Sequence, residues 1–278
     1  MATVLETIIA GKYREVAERR ELVPVKRLER ELYFASEPVS LVKYLSRSDL
    51  VGVIAEIKRK SPSKGVIRKH ISVEELSIGY MQAGASALSV LTDAEHFGGS
   101  SADLITARRC NFAPIVRKDF IVDEYQIVEA KAIGADVILL IAAALSTEQC
   151  ATLARCARSL GLEVLLEVHS REEIDTYMNP DVSLLGVNNR DLHTFNVSLD
   201  CSRNLIQAIP RGITAVAESG ISDAETVLEL KSLGFRGFLI GEAFMREAEP
   251  HRACRRFIER VEELAQPRLR SQAGGPRG

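Results

Sequence analysis

The sequence predicts an α/β fold, a single (β/α)8 TIM barrel with an N-terminal helical extension. Eight short apolar runs alternate with amphipathic segments between Val51 and Ile240. The runs are rich in Val, Ile and Leu without strict polar alternation, the pattern of parallel strands covered on both faces. Helix starts recur between them as Ser-x-x-Glu or Ser-x-x-Gln, and glycines stand where helices hand back to strands. Eight such units fit either a closed barrel or an open doubly wound sheet. The open sheet is usually announced by Gly-x-Gly-x-x-Gly after its first strand, and no such turn follows Ile57. The count of eight favours closure.

Residues 1–48 read as the helical extension. Thr3-x-x-Glu6 is a capping-box pattern, and Leu5, Ile8, Ile9, Tyr13 and Val16 recur at helical spacing. A second helical stretch is expected from Val25 to Phe34, and Leu41, Tyr44 and Leu45 suggest a further short turn. These helices are expected to lie over one end of the barrel. Residues 49–265 form the barrel. Its strands are read at Val51–Ile57, Ala87–Leu91, Pro114–Val116, Val137–Ile141, Val164–Val168, Ser183–Val187, Ile213–Ala217 and Gly237–Ile240. Ser72, Ser146, Ser170 and Ser222 are placed to cap the intervening helices, each with Glu or Gln three residues on, and Asp123 with Gln126 is a looser version. Gly84, Gly134, Gly161 and Gly234 suit left-handed helix ends. The tail, 266–278, is dominated by Pro, Gly, Arg and Ser and is expected to be disordered.

Composition excludes several classes. The 36 basic and 38 acidic side chains leave a net charge of −2, which points to neither a nucleic-acid nor a polybasic membrane partner. The greasiest stretch, Val137 to Leu145, falls short of the roughly 20 residues a bilayer span requires. Charged residues from Glu6 to Glu15 interrupt any secretory signal. Five scattered cysteines contain no Cys-x-x-Cys, and the five histidines show no His-Glu-x-x-His spacing. The expectation is reduced thiols, a cytoplasmic location and no metal.

In such barrels the active site lies at the C-terminal ends of the strands. Six of the eight predicted strands deliver polar groups there. Strand one ends in Glu56 and Lys58, two apart and so on one face. Strand three ends in Arg117-Lys118-Asp119, strand five in Glu167 and strand six in Asn188-Asn189-Arg190-Asp191. Strand seven gives Glu218-Ser219-Gly220 and strand eight Gly241-Glu242. A single strand-end lysine or glutamate is usually a solvated charge; six converging ones are read as a site. Loops after strands seven and eight are the common phosphate site of this fold. The backbone around Ser219, Gly220, Gly241 and Glu242 is therefore read as a phosphate cradle, with the Glu242 side chain turned away.

In order along the chain, Glu56-Ile57-Lys58-Arg59-x-Ser61-Pro62-Ser63, Leu91-Thr92-Asp93, Phe97-Gly98-Gly99-Ser100, Arg117-Lys118-Asp119-Phe120, Leu166-Glu167-Val168-His169, Gly186-Val187-Asn188-Asn189-Arg190-Asp191-Leu192 and Ala217-Glu218-Ser219-Gly220-Ile221 resemble the indole-3-glycerol phosphate synthase family. The resemblance runs from about Thr3 to Leu264. It implies a carboxy-lyase of tryptophan biosynthesis that works without a cofactor on a small sugar phosphate. It also implies Lys118 as the principal acid, Glu167 as a base, Lys58 and Glu56 as a coupled pair, and Asn188 and Glu218 as orienting groups. Ser61, Phe97, Arg190 and Ser219 would contact the substrate, Phe97 against its aromatic ring. Association with other enzymes of the tryptophan pathway is a further expectation. Phosphoribosylanthranilate isomerase, a Schiff-base aldolase and a non-catalytic interaction module are the alternatives.

Overall fold

The computed structural model describes residues 3–191 and 194–273, the last seven as backbone alone. Leu192 of the strand-six motif and residues 274–278 of the tail lie outside the described residues. Among the described residues, eight parallel strands close a barrel. They are β1 (Val53–Ile57), β2 (Ala87–Leu91), β3 (Ile115–Lys118), β4 (Val137–Ile141), β5 (Glu163–Val168), β6 (Leu184–Asn188), β7 (Thr214–Glu218) and β8 (Gly237–Ile240). Each pairs with its successor, and β8 returns to β1 with Phe238 opposite Val53. Three strands run past the last apolar residue, to Lys118, Asn188 and Glu218. An inward position at the rim faces a cavity, so a polar side chain does not end the strand there. A short antiparallel hairpin, Lys60–Ser61 against Gly65–Val66, follows β1 without any hydrophobic signal to announce it.

The strand period of two decides what enters the barrel. Its interior is filled by Ile54, Ala87, Val116, Val137, Leu139, Leu165, Leu184, Val216 and Leu239. Residues an even number further on share that face. Ile54 therefore carries Glu56 inward, Val116 carries Lys118, Leu165 carries Glu167, Leu184 carries Asn188 and Val216 carries Glu218. The apolar packing below and the charged groups above are one pattern continued upward.

The extension contains α1 (Val4–Leu22), α2 (Val25–Leu28) and α3 (Leu41–Leu45). Thr3 and Glu6 close the expected capping box on α1. The second helix is shorter than predicted, because the chain beyond Leu28 is held by tight i→i+3 bonds such as Glu31 N to Leu28 O at 3.0 Å. The extension also covers both ends of the barrel rather than one. Lys12 of α1 reaches Asp93 and Asp119 at the C-terminal rim, at 3.0 Å each. At the opposite end, Leu41 and Leu45 of α3 join the interior apolar cluster and plug the barrel floor. Glu163, the first residue of β5, fixes that plug. Its carboxylate accepts from Ser40 Oγ at 2.5 Å and from the Leu41 and Val42 N–H groups at 2.8 and 3.1 Å.

The barrel is wrapped by α4 (Val73–Gln82), α5 (Ala94–Phe97), α6 (Ser101–Cys110), α7 (Glu124–Ala132), α8 (Thr147–Ser159), α9 (Arg171–Tyr177), α10 (Asp200–Leu205), α11 (Ala224–Leu233), α12 (Glu242–Met245) and α13 (Pro250–Ala273). Ser72, Ser146, Ser170 and Asp123 cap α4, α8, α9 and α7 as expected. The cap of α11 is Asp223 rather than Ser222: its carboxylate takes the Thr226 N–H at 2.8 Å, while Ser222 Oγ lies 3.4 Å from that same carboxylate. The four helix-to-strand glycines all take positive φ. The backbone of α13 stays helical to Ala273, inside the stretch expected to be disordered; Leu, Arg, Gln and Ala there are adequate helix formers. No helix among the described residues is long and apolar enough to cross a membrane.

Glu163→Ala should lower stability by about 2 kcal/mol, since three donors lose a charged acceptor at once. Urea denaturation checks this, and steady-state activity should survive because Glu163 sits at the end opposite the cavity.

Candidate active site

The C-terminal mouth of the barrel opens into a cavity of about 530 Å³. Val4, Leu5 and Ile8 of α1 form one wall, and Phe97 and Phe120, with ring centroids 6.1 Å apart, form another. All thirteen residues singled out from the sequence line this cavity: Glu56, Lys58, Ser61, Phe97, Lys118, Glu167, Asn188, Arg190, Glu218, Ser219, Gly220, Gly241 and Glu242. Among the described residues, no cluster of His, Cys, Asp or Glu side chains is arranged to hold a metal ion.

The floor of the cavity is an ion cluster. Lys118 Nζ lies 2.9 Å from Glu167 Oε2 and 2.7 Å from Glu218 Oε2. Across from it, Lys58 Nζ pairs with Glu56 Oε1 at 2.5 Å. Asn188 Nδ2 donates to the second oxygen of Glu167 at 2.9 Å, and Asn188 Oδ1 accepts the Arg190 N–H at 3.0 Å. Burial works against the charges of Lys118, Glu167 and Glu218, so their partners decide the protonation states. For Glu167 burial pushes the pKa up, but Lys118, His169 and Asn188 outweigh it and hold the group at about 2. For Glu218 burial prevails, with Glu167 adding repulsion against the pull of Lys118, and the group rises to about 7. Burial alone would make Lys118 more acidic, yet Glu167, Glu218 and Glu56 hold it well above the ordinary lysine value.

Two glycines make room for this cluster, a role the sequence analysis gives to neither. A Cβ at Gly186 of β6 would lie 2.3 Å from Glu218 Oε1. A Cβ at Gly241 would lie 2.5 Å from Glu56 Oε1, so a side chain there would strike the Glu56 carboxylate. A glycine inside a strand pattern is the signal that could have found the first.

Support comes from the outward side chains of the same strands. Arg117 is fully buried and holds Glu129 Oε2 at 2.5 Å, Gln126 O at 2.8 Å and Thr92 Oγ1 at 3.1 Å. Thr92 Oγ1 in turn donates to Asp119 Oδ2 at 2.5 Å, and Asp119 receives Lys12. Lys118 thus sits between two residues tied into a buried network that ends on α1. Lys12 is invisible to sequence reasoning, because a lysine on an amphipathic helix reads as solvated.

At the other end of the cavity, Ser219 and Gly220 both take positive φ, 65° and 77°. For serine this backbone is uncommon. Asn189 enforces it by donating Nδ2 to Glu218 O at 3.0 Å and to Ser219 O at 3.1 Å. The short helix α12 starts beside it, after Gly241. The Glu242 carboxylate lies 3.6 Å from Arg190 Nη2 and 3.7 Å from Lys64 Nζ.

Gly186→Ala should fold, with an overpacking cost of about 1–3 kcal/mol. Its kcat should fall much further than its stability suggests, because Glu218 is driven off Lys118. Paired thermal melts and turnover measurements check this; a parental kcat would show that Glu218 need not sit where it does.

The sequence profile of the indole-3-glycerol phosphate synthase family matches residues 5–257. An indole-3-glycerol phosphate synthase from Bacteroides thetaiotaomicron is 46% identical over 262 residues, covering 94% of this chain and all of the relative. One from Chromobacterium violaceum is 44% identical over 261 residues, covering 93% of this chain and 98% of the relative. Among solved structures, a 3-hexulose-6-phosphate synthase from Salmonella typhimurium superposes with a TM-score of 0.61 at 13% identity, over 76% of this chain and 99% of its own, a likeness of fold alone.

Proposed function

The chain belongs to the indole-3-glycerol phosphate synthase family, and on that premise we propose how its own side chains carry the reaction. It is a carboxy-lyase that converts 1-(2-carboxyphenylamino)-1-deoxyribulose 5-phosphate to indole-3-glycerol phosphate, carbon dioxide and water. The observation that carries the assignment of roles is the pair of lysines, each bound to a carboxylate, facing one another across a single cavity. The chemistry asks for two proton donations and one proton abstraction, and this arrangement holds the groups for all three.

Ring closure comes first. The ring carbon bearing the carboxylate attacks the ribulose ketone, and Lys118, charged and close to the cavity floor, gives a proton to the oxygen. Carbon dioxide then leaves with its bonding electrons returned to the ring. In the last step the new hydroxyl departs as water on a proton from the Lys58–Glu56 pair, and Glu167 removes the proton from the adjacent carbon. Glu167 and Lys118 are 2.9 Å apart, so the captured proton can return to Lys118 directly. Because a carboxylate leaves as neutral carbon dioxide, one proton is consumed per turnover. That deficit falls on Lys58.

A Schiff-base aldolase built on Lys118 is disfavoured, since an amine nucleophile needs a depressed pKa and the two glutamates raise this one. The apolar wall of Phe97 and Phe120 suits the anthranilate ring. The backbone at Ser219, Gly220, Gly241 and Glu242 suits the phosphate, with Ser61 and Arg190 available to the other polar groups.

Lys118→Ala should lose about 10²–10⁴-fold in kcat, the usual worth of a positioned acid, with a smaller change in KM. A spectrophotometric assay for indole-3-glycerol phosphate checks this, and near-parental turnover would remove Lys118 from the mechanism. At the phosphate end, Ser219→Gly keeps the backbone allowed while deleting the hydroxyl. Its KM should rise several-fold with kcat nearly unchanged, because phosphate binding acts on ground and transition states alike. Inorganic phosphate competition measured on both proteins separates a lost contact from a shifted loop.

A further inference from the structure

His169 follows β5 directly and stands behind Glu167, outside the cavity lining. Its Nε2 lies 3.8 Å from Glu167 Oε1 and its Nδ1 lies 3.7 Å from Glu173 Oε2 on α9. Both ring nitrogens are buried without a hydrogen-bond partner. The Glu173 carboxylate is held in place by the His169 backbone N–H at 2.6 Å. A neutral imidazole in this position would leave a buried donor and acceptor unmet, which is costly. An imidazolium there sits between two carboxylates.

We infer that His169, as the imidazolium, is a positioning residue for the reaction, acting through Glu167. The inference rests on the roles given above to Lys118 and Glu167. Once Lys118 has passed its proton to the ketone, Glu167 loses its main counter-ion while still buried. Asn188 is neutral, so His169 is then the cation left against Glu167. Its charge also weakens the hold of Glu167 on the Lys118 ammonium, which makes Lys118 a better acid. The other groups facing His169 are Glu218, acting across the floor from β7, and Cys201 of α10, whose thiol donates to the His169 carbonyl at 3.5 Å. Burial lowers the imidazole pKa, but Glu173, Glu167 and Glu218 together raise it above its ordinary value.

Turnover should be full while His169 is charged and should fall as pH rises through its raised pKa. His169→Gln should therefore show kcat reduced about tenfold below neutrality, the value of one pKa unit of lost support for Glu167. The alkaline limb set by His169 should disappear, and KM should hold within about twofold. Glu173→Gln removes the outer carboxylate but keeps an acceptor for the backbone N–H; it should move the same limb to lower pH by about one unit.

Steady-state pH profiles of the parent, His169→Gln, Glu173→Gln, Glu167→Gln and the Glu167→Gln/His169→Gln double variant form the test. The double variant should be no slower than Glu167→Gln alone, because His169 works through Glu167. A His169→Gln profile that superimposes on the parent after scaling, or a limb that Glu173→Gln leaves in place, overturns the inference. If Glu167→Gln itself keeps parental kcat, the role of Glu167 fails instead, and His169 has nothing to act through.

Discussion

Everything at the mouth of this barrel depends on the Lys118 ammonium lying between Glu167 and Glu218. Taken singly, each of these three charges would be expensive where it is, and two carboxylates facing each other would repel. Together they leave one carboxylate strongly ionised, one near neutrality and one cation that cannot lose its proton idly. The three come from β3, β5 and β7, alternate strands whose same-face residues meet at one level of a barrel. The chemistry is therefore a property of strand register as much as of residue identity. A one-residue slip of any of these strands would turn its charged residue toward the helices.

Space is managed as tightly as charge. Gly186 lies on the strand next to that of Glu218, and Gly241 directly follows the strand next to that of Glu56; each is empty where a methyl group would collide. At these two points the rim holds a carboxylate only because the neighbouring position contributes no side chain. The buried network from Arg117 through Thr92 and Asp119 to Lys12 works on the outer side of the same strands. It anchors α1, and α1 supplies an apolar wall. The wall, the acid and the anchor are thus mechanically continuous.

The fold was legible because the apolar runs carry β-strand composition and because Ser, Asp and Gly mark the helix ends on physical grounds. Strand ends were less legible. Lys118, Asn188 and Glu218 are strand residues that look like loop residues, since nothing in a hydrophobic pattern distinguishes a polar group facing a cavity from one facing solvent. The residues at the rim were recognisable by convergence. Those that hold them were not: Lys12, Asn189 and Gly186 act through contacts 29 to 107 residues distant in sequence. The sequence places the extension at one end because nothing local separates its helices, and Glu163, far along the chain, fixes where α3 docks.

That division of the extension between the two ends bears on how the chain acquires its fold. The plug made by Leu41 and Leu45 packs against interior residues as late as Val216 and Leu239. Its complete seat therefore does not exist until the last strand has been made and has closed on β1. During synthesis the plug is made before these partners, with some 190 residues between Leu45 and Leu239. Long-range closure of this kind is slow.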